Sequence, residues 1–373
     1  MYMKPMFIFA LLLMFSVIPS GLAKAMDDTD TQANTERLKA EVVSIIEEEQ
    51  YVDEFSGNKI GYQSVEVKLL TGEWKNEVVI AERFNYPEDI PIWVEENDKI
   101  MVQLEMNHGE IVRADVMDYA RDYSTLVLIS IFVALLIALG RKQGLKAVLT
   151  LGFTLVIVFK FMIPNLLAGY NPVLLAIVTG GIVTALTFTI VSGFTRKTLA
   201  AVVGTIGGLA SAAIISIIFS SVMNLTGLHG DDERMLLITS SQEMNLDFKG
   251  LLLAGIIIGA LGAVMDVAIS IASSMEEVRK TDRMIPMKKL FTSGMNVGKD
   301  IMGTMSNTLI LAYVGAALPL LLIIYSLDNP LTELIHREFL AVEILRTAAG
   351  SIGLILSIPI TAFVASIFIK KSK

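Results

Sequence analysis

The chain has 373 residues, 53% of them apolar, with a mean hydropathy of +0.62 and only 18% charged residues. One water-soluble core cannot absorb that much apolar sequence, so a bilayer is the implied solvent for much of it. The absence of cysteine excludes disulfides, thiolate nucleophiles and Cys-ligated metal centres.

The formal charge of −8 is divided sharply along the chain. Residues 26–122 carry 24 acids and 9 bases, whereas residues 123–373 carry 14 acids and 19 bases. An acidic segment of this kind excludes nucleic acid as its partner, because phosphates select cationic surfaces. It suits an exported soluble domain joined to a membrane body whose bases face the cytoplasm.

Residues 1–25 read as a signal peptide or an uncleaved signal anchor. Lys4 precedes an apolar run from Met6 to Ile18, and Ala23-Lys24-Ala25 supplies the small residues of a cleavage site. Residues 26–37 form a polar leader. From 38 to 122 the pattern alternates with period two, which predicts strands at 39–48, 62–70, 76–84, 98–105 and 110–117. Turn signals separate them: Ser56-Gly57-Asn58, Thr71-Gly72-Glu73, the Pro87 to Pro91 stretch and Asn107-His108-Gly109. Five short strands predict a small OB-like barrel. Trp74 and Trp93 belong to its rim or to a binding surface, and His108 to a solvated hairpin turn.

Seven apolar stretches follow, near 123–140, 145–163, 172–194, 198–223, 250–274, 304–326 and 347–369, each long enough to cross a bilayer as a helix. The predicted fold class is therefore an α-helical membrane bundle of about seven spans, residues 123–373, preceded by an exported all-β domain. Fourteen Lys and Arg residues fall in the loops of one side and at the C-terminus, against about four on the other side. This places the β domain outside and the C-terminus inside.

Span five carries one stripe of small and polar residues: Gly255, Gly259, Gly262, Asp266, Ser270, Ser273 and Glu277. The glycines predict close helix packing, as do Gly204 and Gly208 in span four and Gly350 and Gly353 in span seven. Asp266 lies roughly 24 Å below the outer end of its helix. An aspartate at that depth needs a partner or a hydrated cavity. It either locks two helices as a hydrogen-bonded structural residue or lines a solute, ion or proton path. Candidate partners on span six are Asp300, Thr304, Asn307 and Thr308, with Thr184, Thr187 and Ser192 of span three at similar depth. Lys160, near the outer end of span two, can snorkel to the interface. His229-Gly230-Asp231-Asp232-Glu233 has the makings of a cation site, but one histidine without a second cluster fits a solvated loop better. HExxH, GxSxG and Walker A patterns are absent, so no enzyme template applies and no cofactor is implied.

The passages Gly262-Ala263-Val264-Met265-Asp266-Val267-Ala268-Ile269-Ser270-Ile271-Ala272-Ser273 and Gly298-Lys299-Asp300-Ile301-Met302-Gly303-Thr304-Met305-Ser306-Asn307-Thr308-Leu309 resemble the YibE/YibF-like family of bacterial membrane proteins. Thr71-Gly72-Glu73 also fits, and the resemblance extends over nearly the whole mature chain. It implies a bacterial cytoplasmic membrane location and no particular activity. Two functions follow from the residues themselves: a permease with a polar path near Asp266, or a non-transporting scaffold or envelope factor whose β domain binds an extracytoplasmic protein. Partners are then the bilayer, a solute or protein of unknown identity, and a second copy if the chain oligomerises.

Overall fold

The computed structural model describes residues 34–53, 57–87, 90–239, 246–326 and 330–369. The expected leader, 1–25, and the terminal lysines lie outside the described residues. The rest falls into two compact units, one ending at Leu135 and the other beginning at Leu136.

The first unit holds the strands β1 (Asn34–Val52), β2 (Lys59–Leu69), β3 (Val78–Asn85), β4 (Lys99–Asn107) and β5 (Glu110–Tyr119). They close into a barrel in the order β1-β2-β3-β5-β4, with β3 and β5 parallel and every other pair antiparallel. Alternation does the work. Leu38, Ala40, Val42, Val65, Val67, Leu69, Ile100, Val102 and Leu104 point inward and are buried. Their neighbours in sequence point the other way and, Ser64 apart, are half-buried or exposed. β1 is longer than its pattern predicts because register shifts at Val42/Ser44 and Ile45/Glu47 bend it. It pairs with β4 through its first half and with β2 through its second.

Polar side chains fix the connections. His108 and Gly109 both have positive φ (50° and 84°), the backbone of a tight two-residue hairpin joining β4 to β5. The Thr71 hydroxyl accepts the Lys39 N–H at 3.0 Å, beside Gly72, whose φ of 82° a side chain would strain. The segment before β4 has no ladder of its own, so its backbone needs other partners. The buried amides of Gln63 and Asn85 supply them, each donating to and accepting from one residue, Val94 and Ile92 respectively, at 2.9–3.0 Å. Trp93 is held between them: its ring N–H donates to the Lys59 carbonyl, and its own carbonyl accepts the Tyr119 hydroxyl. Both tryptophans belong to the wall, with Trp74 packed on the core.

The helices are α1 (Asp122–Ile157), a π turn (Val158–Met162), α2 (Ile163–Leu167), α3 (Pro172–Ser192), α4 (Arg196–Val222), α5 (Asp231–Thr239), α6 (Phe248–Thr281), α7 (Met287–Ala316), α8 (Leu318–Ser326), α9 (Leu331–Leu334) and α10 (Glu338–Phe368). Among the described residues, five helical runs are long and apolar enough to cross a membrane: Asp122–Leu167, Pro172–Ser192, Arg196–Val222, Phe248–Thr281 and Glu338–Phe368. The pair α7 and α8, bent by 64°, makes a sixth if it counts as one span. The first run contains a break. Arg141 has φ 48° and ψ −121°, and a Cβ on Gly144 would strike the Leu136 carbonyl. Eight residues of straight helix rise about 12 Å, so that contact requires the axis to turn sharply at Arg141. Lys160 lies exposed in the π turn. Pro164 has no N–H for the Lys160 carbonyl, and the Ile163 N–H reaches back to Val158 instead.

The helices also extend past the apolar windows. The expected loop 228–249 contains α5, and α10 begins nine residues before its apolar stretch. Hydropathy marks where a helix can meet lipid and is silent on where polar helix continues. Small residues make the tightest helix contact, between α4 and α10. A Cβ on Gly204 would strike the Thr361 side chain. One on Gly208 would lie 2.8 Å from Ser357 Cβ and 3.0 Å from the Gly353 carbonyl oxygen.

Candidate functional site

α6 is the element around which the second unit is packed. Its buried residues cover three sides. Leu261, Met265, Ala268 and Ala272 join a cluster with α3 and α4 residues, while Ala260, Val264, Val267, Ile271 and Met275 join one with α7 and α10 residues. The fourth side carries the stripe predicted from spacing, and it is open. Gly255, Gly259, Gly262, Asp266, Ser270 and Glu277 are exposed and Ser273 is half-buried. A Cβ on Gly255 or Gly262 would meet nothing within 4 Å. The expectation of close helix packing is therefore corrected for Gly255 and Gly262, whereas Gly259 does lie against a neighbour, the Tyr313 hydroxyl of α7, 2.7 Å from where its Cβ would be. The periodicity was the same in both cases, because 3.6-residue spacing identifies a face without saying what covers it.

α7 has a matching division. Leu290, Gly294, Gly298 and Leu309 face the bundle, and Asp300, Gly303, Thr304, Asn307 and Thr308 lie exposed. Among the described residues, no hydrogen bond joins Asp266 to Ser270, Asn307 or Thr308. The hydroxyls of Thr304 and Thr308 return to their own helix, to the carbonyls of Ile301 and Thr304, at 2.9 Å. The predicted residues are thus placed on two open polar faces of adjacent helices. Thr184 stands apart, buried and bonded to the Gly180 carbonyl.

Ionic contacts and one buried arginine fix the end of α6 that carries Glu276. The Lys197 ammonium of α4 lies 2.9 Å from Glu276, which Lys280 also approaches at 3.6 Å. Arg279 is buried and donates to the Ile285 carbonyl at 2.8 Å, closing the turn into α7.

At the other end of the stripe lies a cavity of about 300 Å³ that sequence reasoning missed. Gly255, the last member of the stripe, is in its wall with His229, Asp232, Glu233, Phe248 and Arg346. The expected solvated loop here is partly the helix α5, and the His229 side chain is only 11% exposed. The rim is tied down from far along the chain. The Glu338 carboxylate of α10 accepts the Thr226 N–H at 2.6 Å, its hydroxyl at 2.8 Å and the Gly227 N–H at 3.1 Å. One turn further along the stripe, the Tyr313 hydroxyl is buried beside Gly259 and Gly350 with no hydrogen-bond partner. Glu338 in an otherwise apolar helix start, and His229 four residues before Glu233, were the available signals.

A small five-stranded barrel followed by helices that suit a bilayer, one with an aspartate on an open face, defines an integral membrane protein with an N-terminal β-barrel unit. A family model described as YibE/F-like protein matches residues 128–371, well over half of the chain, and the protein belongs to that family. The match covers the helical region alone, whereas the resemblance seen in the sequence extended into the barrel. Neither the curated proteins nor the solved structures contain a match.

Proposed function

We propose that the chain is a non-enzymatic, permease-like protein of the bacterial cytoplasmic membrane. In this proposal it crosses the bilayer seven times, with the barrel outside and the C-terminus inside. One observation carries the function: a stripe of glycine, serine and carboxylate on α6, from the cavity at Gly255 past Asp266 to Glu277, open at Gly255, Gly262, Asp266 and Ser270. An aspartate facing hydrocarbon costs about 2.5–3.5 kcal/mol on insertion scales. A hydrated path along the stripe removes that cost, and open glycines leave room for a solute. The turn of the axis at Arg141 supports counting Asp122–Leu167 as two crossings and the bent α7–α8 pair as one. The 14 bases at one side's loops and the C-terminus support the orientation.

The cysteine-free chain makes the test direct. Single cysteines at 255, 262, 266 and 270 should react with a membrane-impermeant thiosulfonate, while cysteines at 186 and 214, exposed apolar positions on α3 and α4, should not. A stripe as unreactive as those controls would remove the path. The scaffold alternative draws on a different observation, the exposed Val78, Ile80 and Phe84 of β3, an apolar row on an acidic barrel. Those three changed to serine should abolish function in a scaffold and leave it intact in a permease.

A further inference from the structure

We propose that a cleft between the starts of α3 and α6 and the end of α4 binds one molecule of an aminophospholipid, phosphatidylethanolamine. Its cavity measures about 520 Å³. The wall is graded with depth. Ile177, Ile217 and Leu253 each stand five residues in from a helix end, at Pro172, Val222 and Phe248 respectively. That is about 8 Å at the helical rise per residue. Asn171, Asp247 and Lys249 line the cleft at the ends themselves, where a spanning helix meets the headgroups. Gly250 and Leu253 of α6 are buried and make the floor. The sides are open to hydrocarbon, with Leu174 of α3 63% exposed and Ile217 of α4 45% exposed. An occupant must therefore be apolar below and polar above, which is the build of a lipid.

Charge at the rim selects the headgroup. Lys249 donates to the Ser221 hydroxyl at 3.2 Å, and among the described residues no carboxylate pairs with it. Its ammonium keeps N–H bonds to give, and a phosphate is their natural acceptor. Asp247 uses Oδ1 to cap α6, accepting the Gly250 N–H at 2.8 Å, and its other oxygen is left for a cation. One base and one acid in the same rim match a phosphate followed by a primary ammonium. An anionic headgroup would set a second negative charge against Asp247. A quaternary ammonium has no N–H to donate, and inorganic phosphate would leave the apolar wall unfilled.

The cleft lies on the packed side of α6, away from the open stripe, so the inference rests on neither the permease nor the scaffold reading. The test is native mass spectrometry of the full chain, delipidated in detergent. It is titrated with dioleoyl-phosphatidylethanolamine, dioleoyl-phosphatidylglycerol or dioleoyl-phosphatidylcholine. One molecule of the ethanolamine lipid should bind about 10-fold more tightly than either of the others. Asp247→Asn with Lys249→Met keeps a capping side chain on α6 and should weaken that binding about 10-fold or more. Lys160→Met, at an exposed lysine outside the cleft, should leave it unchanged. Should the double variant fail to fold, Ile177→Trp, which fills the cleft and leaves the rim charges in place, should weaken binding as much. Three results would each overturn the proposal: equal or tighter binding of either other lipid, wild-type affinity in a folded cleft variant, or an equal loss in Lys160→Met.

Discussion

The two classes of glycine make opposite predictions for the same substitution. At Gly208 a new methyl would lie 2.8 Å from both Ser357 Cβ and Val264 Cγ1 and 3.0 Å from the Gly353 carbonyl oxygen. None of these is the far end of a flexible side chain, so α4 and α10 must separate. Overpacking of this kind costs about 1–3 kcal/mol. Removing a glycine from a helix interior returns about 0.5–1 kcal/mol. The net loss for Gly208→Ala is about 1–2 kcal/mol, which lowers the melting temperature by about 2–8 °C in a unit of this size. At Gly262 nothing lies within 4 Å. Gly262→Ala should hold the melting temperature or raise it by about 1–4 °C, from the helix term alone. The assay is intrinsic-fluorescence melting of both variants in one detergent, with expression measured in parallel. A Gly262→Ala variant as destabilised as Gly208→Ala would refute the assignment of an open stripe on α6.

Asp266→Asn should fold and express like wild type and lose uptake of the solute; full uptake by a well-folded variant would take Asp266 out of the path. Cysteines at 115 and 289 should label from opposite sides of the membrane, outside and inside respectively, and labelling from the same side would mean an odd number of crossings does not separate them. Gln63→Leu leaves the Val94 backbone groups without partners, and should destabilise the barrel by about 2–4 kcal/mol, seen as an earlier tryptophan fluorescence transition. Lys197→Met should cost at most about 1 kcal/mol in thermal melts, because the pair with Glu276 is 22% exposed on each side and Lys280 stays beside Glu276 as a second cation.

The barrel was legible in the sequence because a strand with one buried face writes its own alternation, as Leu38, Ala40 and Val42 do. The turns were legible through Gly72 and Gly109. What alternation could not express was the length of β1, since the bulges shift its phase midway. Seven apolar stretches were visible, and the gap between the first two, 123–140 and 145–163, coincides with the break at Arg141; what hydropathy did not show is that helix resumes at once on either side of it. The stripe on α6 was found by spacing, but its exposure was not, for a row of glycines has the same period whether or not a helix lies against it. The cavity depends on Glu338 meeting Thr226 across 112 residues. No local pattern encodes a contact of that range.

The pairing of β1 also sets an order of events during synthesis. Asn34 pairs with Met106, about seventy residues further along the chain. Drawing the ends of such a loop together costs about 4 kcal/mol of length-dependent entropy. Until Lys99–Asn107 has been made, the first half of β1 is a strand edge waiting for its neighbour. It carries Glu36, Arg37, Lys39 and Glu41, charges of both signs that discourage another chain from taking the vacant place. A chain truncated before Lys99 therefore keeps that edge open, with only those charges to guard it.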